Sequence, residues 1–304
     1  MPELPEVETI RRTLAPVLVD ATIVVTLRGE RPDDILLDPW PSFAHRVRGQ
    51  RIVGLERRGK YLAIRLADDH YVLVHFGMTG ELQLARPNDP PARHCHLAFV
   101  LRSSRAVPGI ATDRKGRFVL RYYDVRRFGQ IGLLTADEWS RHAARLGPEP
   151  FDPQVDPVAL WRQLGRRRAP VKAVLLDQTL LAGIGNIYAD EALFRAGIHP
   201  LRRCATLSAP EVERLLTALR DVLTAAIQER GTTIRDFRDG RGEKGTYQRQ
   251  LQVYGKRAGT PCPRCGTPLE RVRVGGRSST ACPRCQPLAR DAPRSPLNDV
   301  QRQR

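Results

Sequence analysis

The sequence contains no long apolar run and few aromatic or sulfur-containing residues. Of its 304 residues, 6% are aromatic, two are methionine and six are cysteine. No apolar stretch approaches the roughly 20 residues of a membrane-spanning helix, so an integral helical membrane protein is excluded. The acidic first residues also lack the basic and apolar regions of a secretory signal. We therefore expect a cytoplasmic protein with no membrane partner.

Acidic residues are scarce relative to basic ones. Lysine and arginine together number 50 against 33 aspartates and glutamates, which gives a formal net charge of +17. Such a charge suits a polyanionic partner far better than a small basic metabolite. Nucleic acid is the expected partner.

Hydrophobic periodicity predicts a helix followed by a β-rich region. Apolar residues recur at helical spacing over residues 6–18, so the chain is expected to open with an α-helix. Short runs of β type come next, several with alternating polarity and glycine-containing turns, and they predict an antiparallel sandwich or barrel. These runs are 51–56, 61–66, 71–76, 96–101, 118–123 and 131–134.

The second part of the chain has a different pattern. Repeated prolines over residues 147–157 indicate a linker, because proline interrupts both helices and sheet ladders. Beyond it, Ser208 and Glu211 form a capping-box pair ahead of apolar residues at helical spacing, and Gly231 stands where a helix C-cap belongs. A helical region is therefore predicted after the linker.

Four of the six cysteines form two close pairs. Cys262 and Cys265 flank one Pro-Arg, Cys282 and Cys285 flank another, and sixteen residues separate the pairs. This spacing is typical of a four-thiolate zinc ribbon, and disulfides or chance cysteines are the weaker reading. A closed site of four cysteines has no open coordination position, so one structural Zn²⁺ is expected.

Together these patterns predict an α+β multidomain protein. The expected segments are a β-sandwich domain at 1–136, a linker at 137–157, a helical domain at 158–244, a zinc ribbon at 245–286 and a disordered tail at 287–304. The tail is rich in Pro, Arg, Asp and Gln, which cannot bury enough apolar surface to fold.

Several short motifs occur in a fixed order along the chain. They are Met1-Pro2-Glu3-Leu4-Pro5-Glu6-Val7-Glu8, Arg58-Gly59-Lys60-Tyr61-Leu62, His75-Phe76-Gly77-Met78-Thr79-Gly80, Arg126-Arg127-Phe128-Gly129 and Gly183-Ile184-Gly185-Asn186-Ile187-Tyr188. On composition alone the first motif is an ordinary acidic helix start. With the zinc pattern, however, the set closely resembles the formamidopyrimidine-DNA glycosylase family over about the first 286 residues.

The resemblance implies a fold and an activity. It implies an N-terminal antiparallel β-sandwich with an opening α-helix, and a C-terminal helix-two-turn-helix domain followed by the zinc ribbon. The resemblance also implies a bacterial, monomeric enzyme of base-excision repair. Such an enzyme removes 8-oxoguanine and formamidopyrimidines from double-stranded DNA and then cleaves the abasic site by β,δ-elimination.

The resemblance makes Pro2 the nucleophile after Met1 is removed. An α-amino group titrates near ~8 and lysine near ~10.4, so a terminal amine needs little activation at neutral pH. Glu3 is implied to move the protons of the reaction. Glu6 is a supporting residue, either in catalysis or simply as a carboxylate that stabilises the first helical turn.

The same resemblance assigns phosphate contacts to Lys60, Asn186 and Arg277, with Lys60 and Arg277 also counted in the catalytic centre. Asn186 follows Gly185 where a helix is expected to begin, so its backbone and side chain could hold an anion. On their own, a hairpin lysine and a glycine-rich turn would be weak evidence.

Met78, Arg126 and Phe128 match the residues that fill the gap left by a flipped nucleotide. A flexible thioether and a flat ring can wedge between bases, and a guanidinium can bind the orphaned base. Flanking glycines favour loop tips over core positions for these side chains.

The match has departures and rivals. Val125 stands where the family often has proline, and the 103–116 segment is longer than usual and is expected to be an exposed loop of unknown role. An endonuclease VIII-like enzyme for oxidised pyrimidines is the nearest alternative. A catalytically silent damage-binding protein and a plain zinc-ribbon nucleic-acid binder are the others.

Overall fold

The structure, a computed structural model, describes residues 2–107 and 109–288. The processing of Met1 and the disorder predicted for the tail beyond residue 288 lie outside the described residues. The chain divides into two units, one comprising residues 1–145 with 226–248 and the other residues 146–225 with 249–304. The domain boundaries given above stay a prediction.

Two four-stranded antiparallel sheets make up most of the first unit. Their strands are β1 (Thr22–Arg28), β2 (Ile52–Arg58), β3 (Tyr61–Leu66), β4 (His70–His75), β5 (Gly80–Ala85), β6 (Cys95–Arg102), β7 (Arg117–Asp124) and β8 (Gln130–Thr135). The strand orders are β1-β6-β7-β5 and β2-β3-β4-β8. Strands β1 and β5 complete the sheets and were not among the predicted runs.

The two sheets share one apolar core. Alternate residues of β6, including Phe99, point into it together with Phe118 and Tyr122 of β7 and with apolar residues of β3 and β4. The side chain of Tyr122 is fully buried, as is that of Phe118. This arrangement confirms the antiparallel sandwich predicted from the alternating runs.

Three helices accompany the sheets: α1 (Leu4–Leu18), α2 (Trp40–Val47) and α3 (Ala136–Ala144). Helix α1 confirms the predicted opening helix, and its residues Val7, Ile10 and Leu14 are buried in the core. Helix α3 lies in the segment predicted as linker. It begins with a capping box between Thr135 and Glu138, a helix-start signal that the sequence itself carries.

The 103–116 segment connects β6 to β7. It is only partly the exposed loop that was expected, because Val107 is buried and Ile110 packs against the core. Ser103 donates its backbone N–H to the Gly116 carbonyl at 3.1 Å, which closes the base of the segment.

The second unit is helical with a terminal hairpin. Its helices are α4 (Pro157–Gly165), α5 (Val171–Leu175), α6 (Asn186–Ala196) and α7 (Ala209–Gln228), which extends into residues of the first unit, and the hairpin pairs β9 (Glu270–Val274) with β10 (Arg277–Ala281). Short 3₁₀ turns occur at Pro32–Asp34, Cys204–Thr206 and Tyr247–Gln250. Within residues 245–286, predicted as the zinc ribbon, the strands that the structure describes are β9 and β10.

Both predicted ends of α7 are recognisable. The Glu211 carboxylate accepts the Ser208 backbone N–H at 2.8 Å, and Gly231 donates its N–H to the Ala226 carbonyl at 2.7 Å in a left-handed conformation. The α+β fold class is therefore confirmed. No helix within the described ranges has both the length and the apolarity that crossing a bilayer requires.

Candidate active site

Pro2 and Glu3 are buried at the beginning of α1. Glu3 is the N-cap of this helix and forms a capping box with Glu6, whose Oε2 accepts the Glu3 backbone N–H at 2.8 Å. Pro5 occupies the first turn, where a missing N–H costs nothing. The helix start thus fixes the backbone next to Pro2, while Glu3 is only 2% exposed.

Glu6 uses its second oxygen on a distant part of the same unit. Its Oε1 accepts the backbone N–H of Thr232 at 2.7 Å, directly after the left-handed Gly231. One buried carboxylate therefore joins the chain start to the segment 231–248. This geometry supports the reading of Glu6 as a stabiliser of the first turn and adds a contact that the sequence analysis did not foresee.

Helix α1 is attached to β2 by a cluster of charges. Glu8 pairs with Arg11 and Arg12 on its own helix and with Arg57, whose Nε lies 3.1 Å from the carboxylate. Burial alone would raise the pKa of Glu8, but the hydrogen bonds from Arg11 and Arg12 lower it to about 2. The ionised Glu8 thus helps to fix the position of the helix that begins two residues after Pro2.

Lys60 lies in the turn between β2 and β3, as predicted, and it is buried at 7% exposure. Gly59 adopts a left-handed conformation there, and its carbonyl accepts a hydrogen bond from Arg57 Nη1 at 3.1 Å. Next to this turn, Tyr61 pairs with His75 of β4. Burial, followed by the charges of Lys60 and His142, lowers the pKa of His75 to about 4.

His75 therefore stands beside Lys60 as a neutral imidazole at neutral pH. It belongs to a motif quoted above, but no role was assigned to it. Its position at the end of a strand, opposite the residue after Lys60, is the signal that could have identified it.

Met78, Arg126 and Phe128 lie on two loops of the first unit. Met78 is 43% exposed and Phe128 is 56% exposed, which places both side chains outside the core, as predicted. The Arg126 guanidinium lies over the Phe128 ring at 4.9 Å from the centroid, so the two side chains stack. Val125 is also exposed, and no compensation for the missing proline is evident.

A single buried aspartate organises both loops. Asp124, fully buried, accepts hydrogen bonds from Thr79 Oγ1 at 2.5 Å, from the Arg126 N–H at 3.2 Å and from the Gly129 N–H at 2.7 Å. Gly77 packs against the backbone of Phe128, with an added Cβ only 2.4 Å from the carbonyl carbon. The structure thus brings the Met78 and Phe128 loops together.

In the second unit, Asn186 is the first residue of α6, after the N-cap Gly185. Its Nδ2 lies 3.5 Å from the carbonyl oxygen of Ser278, the residue that follows Arg277 on β10. The Oδ1 atom of Asn186 has no hydrogen-bond partner among residues 2–107 and 109–288. Arg277 is exposed at the first position of its strand. Asn186 and the strand that carries Arg277 are therefore neighbours, and the phosphate contacts of these residues stay a prediction.

A buried ion pair connects these elements. Lys172 of α5 and Asp190 of α6 lie 2.8 Å apart with side chains 0% and 1% exposed. Lys172 Nζ also donates to the Ser278 carbonyl at 3.2 Å, and Ser279 Oγ donates to Asp190 at 2.9 Å. Burial raises the pKa of Asp190, and Lys172 opposes that shift. Sequence patterns did not predict this network.

The four predicted metal ligands converge. Sγ atoms of Cys262, Cys265, Cys282 and Cys285 all lie within 4.8 Å of one another. The separation is 3.8 Å between Cys262 and Cys285 and 3.5 Å between Cys265 and Cys282. Tetrahedral Zn–S bonds of about 2.3 Å require S···S distances of roughly 3.8 Å, so the cluster fits one structural zinc ion. Cys95 and Cys204 are buried elsewhere.

Three family models match the chain in succession. The formamidopyrimidine-DNA glycosylase N-terminal domain matches residues 1–131, its H2TH domain matches residues 146–238, and a zinc finger found in FPG and IleRS matches residues 259–288. The last match contains all four clustered cysteines.

Full-length relatives agree with these matches. The formamidopyrimidine-DNA glycosylase of Thermomicrobium roseum is 66% identical over 288 residues, covering 95% of this chain and 100% of that protein. The corresponding protein of Moorella thermoacetica is 48% identical, covering 90% and 95%.

Solved structures give the same assignment. A Lactococcus lactis Fpg variant bound to Fapy-dG-containing DNA has a TM-score of 0.84 at 34% identity, covering 94% of this chain and 100% of that chain. The Fpg protein of Thermus thermophilus has a TM-score of 0.80 at 38% identity, covering 95% and 100%. This chain therefore belongs to the formamidopyrimidine-DNA glycosylase family.

Proposed function

We propose that this protein excises oxidised purines, both 8-oxoguanine and formamidopyrimidines, from duplex DNA and then cleaves the abasic site. The observation that carries the proposal is the buried pair Pro2 and Glu3 at the start of α1, a potential amine nucleophile directly beside a carboxyl group. Relatives from Lactococcus lactis bind Fapy-dG-containing and abasic-site DNA, which supports this class of partner.

Removal of Met1 would leave Pro2 with a secondary amine. Its nitrogen attacks C1′ of the damaged nucleotide, the glycosidic bond breaks, and the base leaves with the bonding electrons and gains a proton. After the attack the nitrogen is positively charged, and it loses its single N–H proton, which can pass to the departing base. The lone pair recovered in this way then forms an iminium as the C1′–O4′ bond opens, and O4′ takes a proton that Glu3 can donate.

The iminium makes the C2′ proton acidic. Glu3, now ionised, removes that proton, and the 3′ phosphate leaves in the β-elimination. Loss of a C4′ proton expels the 5′ phosphate in the δ-elimination, and water then hydrolyses the iminium to regenerate Pro2. Glu3 sits at the backbone position adjacent to the nitrogen throughout, so it can serve successive steps.

Cationic and amide groups on each unit are proposed contacts to DNA phosphates. Lys60 offers a nearly buried ammonium, and the neighbouring His75 is neutral at neutral pH. In the other unit, the exposed Arg277 and the N-terminal Asn186 of α6 offer a guanidinium and helix-terminus donors. Each is proposed as a phosphate contact.

The stacked Arg126 and Phe128, with Met78 on the adjoining loop, would occupy the gap left by the flipped nucleotide. Unstacking a nucleotide costs a few kcal/mol, which inserted side chains offset. The anchoring by Asp124 pre-organises both loops before DNA arrives. Zinc on the four cysteines would stabilise the ribbon that presents Arg277 and supplies no catalytic group.

The test is borohydride trapping on duplexes that contain 8-oxoguanine opposite cytosine or an abasic site. Protein with Met1 removed, as verified by mass, should give a covalent adduct through Pro2 on both duplexes. Pro2→Gly should abolish excision and trapping on 8-oxoguanine while it retains lesion binding. The control Pro39→Gly alters a proline outside the site and should leave the adduct unchanged.

Other outcomes discriminate the alternatives. Preferred trapping on a thymine-glycol duplex would indicate an enzyme for oxidised pyrimidines, the endonuclease VIII-like reading. Tight binding without any adduct, on either the lesion or the abasic duplex, would indicate a catalytically silent damage-binding protein and overturn the proposal.

A further inference from the structure

A cleft of about 740 Å³ lies on the first unit, away from the residues assigned to excision. Its floor is the outer face of the β1-β6-β7-β5 sheet, and its wall is the loop at 87–93 between β5 and β6. This volume is within the range of roughly 300–1,000 Å³ that is typical of small-molecule sites.

The floor of the cleft is apolar because strand residues alternate between the two faces of the sheet. Phe99 and Leu120 point into the core, whereas their neighbours Ala98, Val100 and Val119 line the cleft. Pro87, Pro91 and Ala92 add apolar surface from the loop. An apolar ligand body would therefore be desolvated on two sides.

Arg121 lies in the same row of the sheet, paired with Ala98 in the register of β6 and β7. Although Arg121 is only 6% exposed, its side chain donates hydrogen bonds to backbone carbonyls, that of Pro90 at 3.3 Å and that of Asp89. No carboxylate forms an ion pair with it in the part of the chain that the structure describes. A guanidinium has five N–H donors, so three of them remain for a ligand.

Among the described residues, neither carboxylate of the cleft lining, Glu30 or Asp89, lies within ion-pair distance of Arg121, and Arg93 adds a further positive charge. Arg28 pairs with Asp33, and Arg117 pairs with Asp113 at 2.7 Å, so each has its own counter-ion. Glu30 accepts the His94 backbone N–H at 2.8 Å. The carboxylate of Asp89 accepts the Arg86 backbone N–H at 3.2 Å, and both Glu30 and Asp89 line the rim.

We propose that this cleft binds a small organic anion, a carboxylate on a flat apolar body, with the carboxylate on Arg121. A buried cation without a counter-ion is costly, and a guanidinium matches the two oxygens of a carboxylate in one plane. The apolar floor selects an aromatic or branched body over a hydrated metabolite. None of the cleft residues belongs to the proposed excision machinery, so the two proposals stand or fall separately.

The test uses 2-naphthoate as the probe and its neutral amide, 2-naphthamide, as the matched control, with isothermal titration on the full-length zinc-loaded protein. Saturable binding of the acid with one site per chain is expected, and at least tenfold weaker binding of the amide. Arg121→Gln should reduce the affinity for the acid to that of the amide.

Because Arg121 also holds the loop at 87–93, a second variant keeps the test decisive. Ala98→Leu fills the floor while the guanidinium stays in place, and it should abolish binding without lowering excision. Arg102→Gln, exposed at the end of the same strand, should bind like the unaltered protein. Equal affinity for acid and amide, or unchanged binding in folded Ala98→Leu, would overturn the proposal.

Discussion

Gly77 and His199 each occupy a position that restricts the residue: Gly77 through its backbone conformation, and His199 through the protonation state of its buried ring. Gly77 combines a φ of +55° with a close approach to the Phe128 backbone, so it has two separate reasons to be glycine. His199 is 5% exposed, and its Nδ1 accepts the Leu201 N–H at 3.2 Å, so it has a structural reason to stay neutral.

Gly77→Ala should separate the Met78 and Phe128 loops. The new Cβ would lie 2.4 Å from the Phe128 carbonyl carbon, and backbone cannot yield as a flexible side chain can. We expect single-turnover excision to fall at least tenfold. Gly49→Ala is the matched control, because its φ of +79° carries the same strain but its Cβ meets nothing within 4 Å. Similar excision by both variants would contradict a specific role for the loop contact.

His199 should make stability depend on pH. Burial lowers its pKa to about 4, below the roughly 6.5 of the unfolded chain, so the unfolded state binds the proton first. The stabilisation from neutral His199 should therefore be fully present above about pH 6.5, and the free energy of unfolding should decrease as the pH falls from there toward 4. Urea titrations at several pH values measure how the free energy of unfolding changes with pH. Over this window, that change should be smaller for His199→Gln than for the unaltered protein. The exposed His45→Gln is the control, and an unchanged slope in the His199 variant would refute the assignment.

At the scale of elements, α5, α6 and β10 are held together by charge in a region without water access. The pair Lys172 and Asp190 occupies the junction where Asn186 and the Arg277 strand meet. Burying two charges is costly, so this junction gains its stability only as long as both partners are present.

Lys172→Met should lower the free energy of unfolding by about 3–5 kcal/mol, because an unpaired carboxylate stays buried. The double variant Lys172→Met with Asp190→Leu should recover much of this loss, as denaturant unfolding can measure. Arg195 and Asp221 provide the comparison: this pair, at 3.0 Å, has side chains 53% and 46% exposed, and Arg195→Met should cost about 1 kcal/mol or less. Equal losses of unfolding free energy in Lys172→Met and Arg195→Met would contradict the larger cost expected for the buried pair.

The zinc ribbon should depend on every one of its four ligands. Cys282→Ser replaces a ligand that is completely buried, and metal content should fall well below one ion per chain, with weaker duplex binding. Atomic emission on purified protein measures the metal, and Cys204→Ser, a buried cysteine outside the cluster, should retain it. Full zinc content in Cys282→Ser would show that another donor completes the site.

Elements differed in how far they could be predicted. Helix α1, the β runs and the cysteine pairs follow from signals within a few residues of sequence, and the structure confirms them. Asp124 could not be singled out, because its role arises from loops 45 residues apart in sequence. The same holds for Lys172, whose partner Ser279 lies 107 residues away. The roles of Pro2, Glu3 and Lys60 come from family resemblance, and they stay predictions.

At the scale of the whole molecule, the net charge of +17 should govern affinity for DNA. The logarithm of the binding constant should decrease linearly with the logarithm of salt concentration, because each neutralised phosphate releases counterions. Lys60→Met should make that slope shallower by about one, and Lys115→Met, in the exposed part of the 103–116 segment, should change it less. Fluorescence anisotropy on a lesion duplex measures the binding constant of each variant at each salt concentration. A binding constant that does not change with salt would mean that the net charge does not act on DNA.

Residues 226–248 belong to the first unit, but in the sequence they follow residues 146–225, which belong to the other unit. Translation proceeds from the amino terminus, so the sheets can form early, but Glu6 must wait for Thr232 to leave the ribosome before its second oxygen gains that partner. A nascent chain stalled before that point would hold α1 without the contact that Glu6 makes to the late segment. The order of synthesis thus delays this contact until at least the first 232 of the 304 residues have been made.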